Sequence, residues 1–226
     1  MIRNRSLLLI LYIIADMILI TGCKKDNIEY STVTDITGNI YRTVKIGNHW
    51  WIAENLKTEK YNDNREIPMV TSNAVWKGLT TGAFCYYDNN EQYIEDYGVL
   101  YNWYAINTGD LCPTGWHVPS FEEWNSLINS LGNIDEVSGK LRETGTLHWK
   151  YPNKGASNAS GFSALPGGYR HPLGDFLEIG TMGYWWLATE SYPGTAWCIT
   201  LIYNGSLYMD PSYEKIWGFS VRCTKD

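Results

Sequence analysis

Residues 165–217 hold the side chains best suited to grip a polar ligand. Trp185, Trp186, Trp197, Tyr203 and Tyr208 stand there beside Arg170, Glu190 and Asn204. An aromatic ring offers a flat apolar face to the C–H face of a sugar and keeps a polar tip for hydrogen bonding. Neighbouring amides, acids and guanidinium groups bond hydroxyls. The whole chain shares this bias, with eleven Trp and seventeen Tyr against five Phe. Sets of catalytic residues are harder to find. His49, His117, His148 and His171 show neither the i, i+4 nor the H-x-E spacing of zinc enzymes. His117 could act as a base, but no obvious acid or nucleophile lies near it in sequence, so it reads as a structural histidine. Asp88, Asn89, Asn90, Glu91, Glu95 and Asp96 offer oxygens of the kind calcium takes. A solvated acidic loop over residues 88–96 is the simpler reading. No metal and no cofactor are expected.

The first residues read as an address. Arg3 and Arg5 precede the apolar run Leu7–Ala15, long enough for a signal sequence and too short to span a bilayer. Ile20-Thr21-Gly22-Cys23 resembles the lipobox of bacterial lipoproteins, whose cysteine is acylated and becomes the first mature residue. Residues 1–22 are then a signal peptide and residues 23–31 a tether. Residues 1–30 are expected to bury no domain surface. Without residues 1–22 the chain keeps 16 basic and 23 acidic residues, a net charge of −7. The expected partner is a membrane, through the acyl anchor on Cys23; nucleic acid is a poor match for so acidic a chain. Cys85, Cys112, Cys198 and Cys223 remain, and export permits disulfides among them. Four cysteines allow three complete pairings.

The elements that must position these groups follow from pattern. Strand signals run over 32–36, 40–46 and 50–53, separated by Gly38-Asn39 and Gly47-Asn48 turns. Residues 57–98 are polar and turn-rich. Ser120-x-x-Glu123 is a capping box, and Phe121, Trp124, Leu127, Ile128 and Leu131 recur at helical spacing before Gly132. A helix over 121–131 follows, and a second over 134–142, where Val137 and Leu141 share a face. Strands are expected over 183–190, 196–203, 206–209 and 217–223, with an Asn204-Gly205 hairpin turn. Strands, two helices, then antiparallel strands make the α+β class.

Five strings carry a resemblance: WWIAENL (50–56), CPTGWHVPSFEEW (112–124), LPGGYR (165–170), GYWWLATE (183–190) and GFSVRC (218–223). Together they resemble the Fibrobacter succinogenes major paralogous domain family, over residues 32–226. That family's members are typically exported, often as lipoproteins, in Bacteroidetes and related bacteria. The family is in turn distantly similar to the C-type lectin and formylglycine-generating enzyme fold. The resemblance implies two short helices packed on twisted antiparallel sheets. It also implies a disulfide between Cys112, before the first helix, and Cys223, in the last strand. Cys85 and Cys198 are then the remaining pair.

The departures limit what carries over. The E-P-N, Q-P-D and W-N-D strings of calcium-dependent lectins are missing, as is the close cysteine pair of formylglycine-generating enzymes. Three readings stand. One is a non-catalytic recognition module in the outer membrane, binding glycan through Tyr169, Arg170, Trp186, Glu190, Tyr203, Asn204 and Tyr208. The next is a structural or adhesive protein that meets a surface protein. The last is an enzyme of the formylglycine-generating type, for which no nucleophile, base and oxyanion donor assemble. A shared fold is no argument for catalysis.

Overall fold

The computed structural model describes residues 28–226. The signal segment and Cys23 lie outside the described residues. No helix among the described residues is long and apolar enough to cross a membrane. In chain order the elements are β1 (Tyr30–Thr34), β2 (Ile40–Ile46), β3 (His49–Ile52), α1 (Asn73–Trp76), β4 (Phe84–Cys85), α2 (Ile94–Tyr97), β5 (Leu100–Tyr101), α3 (Trp103–Ile106) and β6 (Trp116–His117). Then come α4 (Phe121–Ser130), α5 (Ile134–Leu141), β7 (Gly167–Arg170), β8 (Phe176–Ile179), β9 (Met182–Glu190), β10 (Thr195–Ile202), β11 (Leu207–Glu214) and β12 (Thr224–Lys225). The class is α+β.

One five-stranded sheet has the order β1-β2-β3-β12-β6 and a second has β11-β10-β9-β7-β8. The N-terminal meander is present, and β12 inserts between β3 and β6, so the two ends of the domain share a sheet. Cys112 and Cys223 are bonded, fastening the entry to α4 onto the end of the chain. Cys85 and Cys198 are both free and buried, in different parts of the core. Burial pushes the Cys85 thiol up to about 12, against the opposing charge of Arg170, and raises that of Cys198 too.

Helix α4 begins as its sequence dictates. Ser120 Oγ accepts the Glu123 N–H at 3.2 Å, and Glu123 Oε2 accepts the Ser120 N–H at 2.8 Å. Trp124, Leu127 and Ile128 face the core.

Several expectations change. Tyr30 already pairs with Val44, so the domain starts inside the expected tether. A Cβ on Gly161 would come within 2.6 Å of Tyr30 Oη and 3.0 Å of Ile28, so this stretch packs on the domain. Residues 57–98 hold four short helical turns and β4, which pairs with β5 just beyond them, because their aromatic residues build a core cluster of their own around Trp76. Residues 217–223 do not form a continuous strand. They thread between the sheets, with Gly218 bridging Arg170, Phe219 bridging Tyr101 and Ser220 bridging Trp185. Strand β9 is central and covered on both faces. Trp185 enters one core cluster and Trp186 the other, so alternation places neither in water.

Candidate ligand cleft

Asn55 is the hub of a buried polar network. Its Oδ1 accepts from Trp185 Nε1 at 2.8 Å and from Arg222 Nε at 3.1 Å. Its amide donates to Tyr97 O at 2.8 Å and to Ser220 Oγ at 3.2 Å. Arg222 Nη1 and Nη2 each donate one N–H, to the carbonyls of Phe162 and Ser163. Its guanidinium stacks over Phe162, 4.3 Å from the ring centroid. Burial lowers Arg222 to about 9, with the Glu54 charge opposing that fall, so it stays a cation at neutral pH. A buried cation without a direct carboxylate partner is tolerable because each of its three nitrogens donates to an acceptor.

Asn55 and Arg222 also line a cleft of about 330 Å³. Its walls come from separate segments: Arg42 of β2, Glu54 and Lys57 after β3, Glu95 and Asp96 of α2, Glu143 after α5, and Asn158, Ser163 and Leu165 beyond it. Lys57 Nζ is 2.8 Å from Glu95 Oε2. Just outside, His148 lies between Glu143 Oε2 at 2.8 Å and Asp96 Oδ1 at 3.7 Å, its ring edge-on to Tyr97. Glu54 Oε1 accepts the Arg42 N–H at 3.1 Å and keeps acceptor capacity. Among the described residues the Arg42 guanidinium meets Ser163 Oγ at 3.2 Å and the face of Tyr30. The cleft thus presents acceptors and donors together on a fixed frame. Such a surface bonds hydroxyls and amides.

A family model described as the Fibrobacter succinogenes major domain matches residues 44–225. The chain belongs to this family. No curated protein and no solved structure matches it. In this Fibrobacter succinogenes major domain, three of the strings that carried the resemblance meet at the Asn55 network: Asn55 itself, Trp185, and Ser220 with Arg222.

The seven residues expected to bind ligand do not converge. Trp186 is fully buried and donates its indole N–H to Tyr101 O at 2.9 Å, so no ligand can stack on it. Arg170 is fully buried between the rings of Trp76 and Phe176, bonded to Val70 O, Thr71 O and Asn73 Oδ1. Both are core residues, a correction that follows from sheet packing and from carbonyls offered by a distant loop. Tyr169 is half-buried against Tyr184 and Trp217. Glu190 is held by Lys215 at 2.5 Å. Tyr208 is 57 % exposed on edge strand β11. Tyr203 and Asn204 stand together beside a second concavity, under Lys150, whose Nζ sits over the Tyr203 ring. Sequence reasoning missed Glu54, Lys57, Glu143, Asn158 and Ser163. The available signal was the polar Glu54-Asn55 pair inside an otherwise apolar string.

His117 does have acids beside it. Its Nδ1 lies 2.6 Å from Asp226 Oδ1 and its Nε2 2.7 Å from Glu123 Oε1. Two carboxylate acceptors require both ring nitrogens to donate, which is the imidazolium. Burial alone would lower its pKa; the hydrogen bonds to Asp226 and Glu123 outweigh it and raise the value above 6.5. Stability from this pairing is therefore fully present below pH 6.5 and is lost as pH rises through the raised folded value. Glu123 works in the opposite sense. Burial would raise it, but the bonds from Ser120 and His117 lower it, so its contribution is lost only as pH falls below 4.5. Unfolding free energy measured across roughly pH 6–9 is expected to decline more steeply in the wild-type chain than in His117→Gln. Parallel curves would refute the imidazolium assignment.

Proposed function

We propose that this protein is a lipoprotein of the outer membrane, anchored through Cys23. Its domain acts there as a non-catalytic recognition module for glycan. The observation that carries the binding reading is the cleft over Asn55 and Arg222. Glu54, Lys57, Glu143 and Asn158 offer both hydrogen-bonding senses from a frame tied down by buried bonds. Preorganised polar groups of this kind suit a ligand rich in hydroxyls. Ser163, the hydroxyl of the cleft, is engaged by Arg42, Asn158 and Gly161 O, none of them a base that would activate it. The C-type-lectin-like arrangement belongs to the same proposal. The bond between Cys112 and Cys223 and the pairing of β12 between β3 and β6 support it.

A glycan array probed with the full chain in detergent, followed by titration of a hit, tests the reading. Glu54→Gln retains an acceptor for the Arg42 N–H while removing the charge. A charge-assisted bond contributes about 1.5–3 kcal/mol, so affinity should fall roughly 10- to 100-fold. Asn158→Ala should weaken binding as well, and a calcium chelator should leave it unchanged. A hit indifferent to both substitutions would remove the cleft from the proposal.

One observation favours a protein partner instead. Leu147 and Tyr151, 84 % and 80 % exposed, stand in the loop that follows Glu143, itself a wall of the cleft. A double Leu147→Ser, Tyr151→Ser chain that loses adhesion to cells while keeping glycan affinity would support that reading.

A further inference from the structure

A second concavity, of about 470 Å³, lies between α5 and the Asn204-Gly205 turn. Gly139 and Lys140 line one side, Lys154 and Asn204 the other. Its walls are fixed from beneath by Arg142, which donates to Asn153 Oδ1 at 2.5 Å, Lys154 O at 2.5 Å and Tyr203 O at 3.2 Å. The two concavities meet at consecutive residues: Ser157 lines the second and Asn158 the first. Neighbouring Cα atoms are about 3.8 Å apart, so the two linings run into one another at this point of the chain. The saddle between them is rigid. The N–H groups of Ser157 and Asn158 both donate to Gly139 O, at 2.8 and 3.2 Å. A Cβ on Gly139 would stand 2.1 Å from Gly155 O, so only glycine lets the helix approach this closely.

Each concavity alone reaches the range of about 300–1,000 Å³ that small ligands occupy. We infer that the two form one groove, and that it takes a linear oligosaccharide laid across the Ser157–Asn158 saddle, with sugar units on both sides. The inference rests on the cleft reading above and adds the ligand's form: a chain, held at two subsites, rather than a single sugar or a chain terminus. Asn204 and Tyr203 regain a role in it, as neighbours of the distal subsite.

The test uses the full chain in detergent and three length series of β-1,4-linked oligosaccharides, built on glucose, xylose and N-acetylglucosamine, from dimer to octamer. In the series that binds, affinity is expected to rise about tenfold or more with length before levelling, as the second subsite fills. A Lys154→Ala, Glu136→Ala chain, changed only at exposed side chains, should bind the long members no better than the dimer and leave the dimer unaffected. Ser157→Arg, which places bulk on the saddle, should do the same. Affinity independent of length, or long-chain binding unmoved by both variants, overturns the groove and leaves the cleft reading intact. No binding at any length in any series, with the fold verified by thermal melting, overturns both.

Discussion

In a Cys112→Ala, Cys223→Ala chain the free energy of unfolding is expected to drop by about 4–5 kcal/mol, the loop-entropy value for a closure of roughly 100 residues. The sequence separation of the two cysteines is 111, so the bridge constrains about half of the unfolded chain. Its position makes the folded-state loss matter too. The bridge joins the segment leading into β6 and α4 to the residue before β12, where the two ends of the domain share a sheet. Against a typical total of about 5–15 kcal/mol, the loss removes a large share of stability. Urea unfolding of the two chains at equal pH gives the difference directly. A loss under about 1 kcal/mol would mean that β12 and the His117 pairing hold the terminus without help. Reduction of the wild-type chain should reproduce the effect, because Cys85 and Cys198 are already free and buried.

What the sequence revealed depended on how local the cause was. The capping box at Ser120, the β2 strand and the Asn204-Gly205 turn are each decided within a few residues, and each stands where its pattern put it. Trp186 failed because alternation separates wet from dry only when one face of a strand meets water. Arg170 failed because its acceptors, Val70 O and Thr71 O, lie about a hundred residues away and are backbone atoms that no side-chain pattern announces. His117 was read as lacking an acid, yet Glu123 is six positions on and Asp226 reaches it from just past β12. Glu123 was visible all along as half of a capping box; one carboxylate serves both the Ser120 N–H and the imidazole. The cleft itself draws on β2, the segment after β3, α2 and two later loops. Only the packing of two sheets brings these together, and no single stretch carries its signature.

Asn55→Leu should lower stability by about 4 kcal/mol and the melting temperature by roughly 8–16 °C, although the side chain is replaced by one of similar bulk. The reason is what the substitution strands. Trp185 Nε1 and Arg222 Nε lose their shared acceptor, and Tyr97 O and Ser220 Oγ lose a donor. Both donors are fully buried, so water cannot take over without opening the core. An orphaned neutral donor costs about 1–3 kcal/mol and a charged one more. Asn55→Asp separates the contributions. Its carboxylate still accepts from Trp185 and gains an ion pair with Arg222, but it cannot donate to Tyr97 O. The aspartate chain should therefore recover at least half of the stability lost in the leucine chain. The variants also divide frame from surface, because Glu54→Gln touches the same cleft without touching the network. That chain should melt with the wild type while losing ligand affinity, whereas Asn55→Leu should lose both. Equal melting temperatures for wild type and Asn55→Leu would show that Asn55 is not the hub holding β9 and the Gly218–Cys223 segment to the cleft floor.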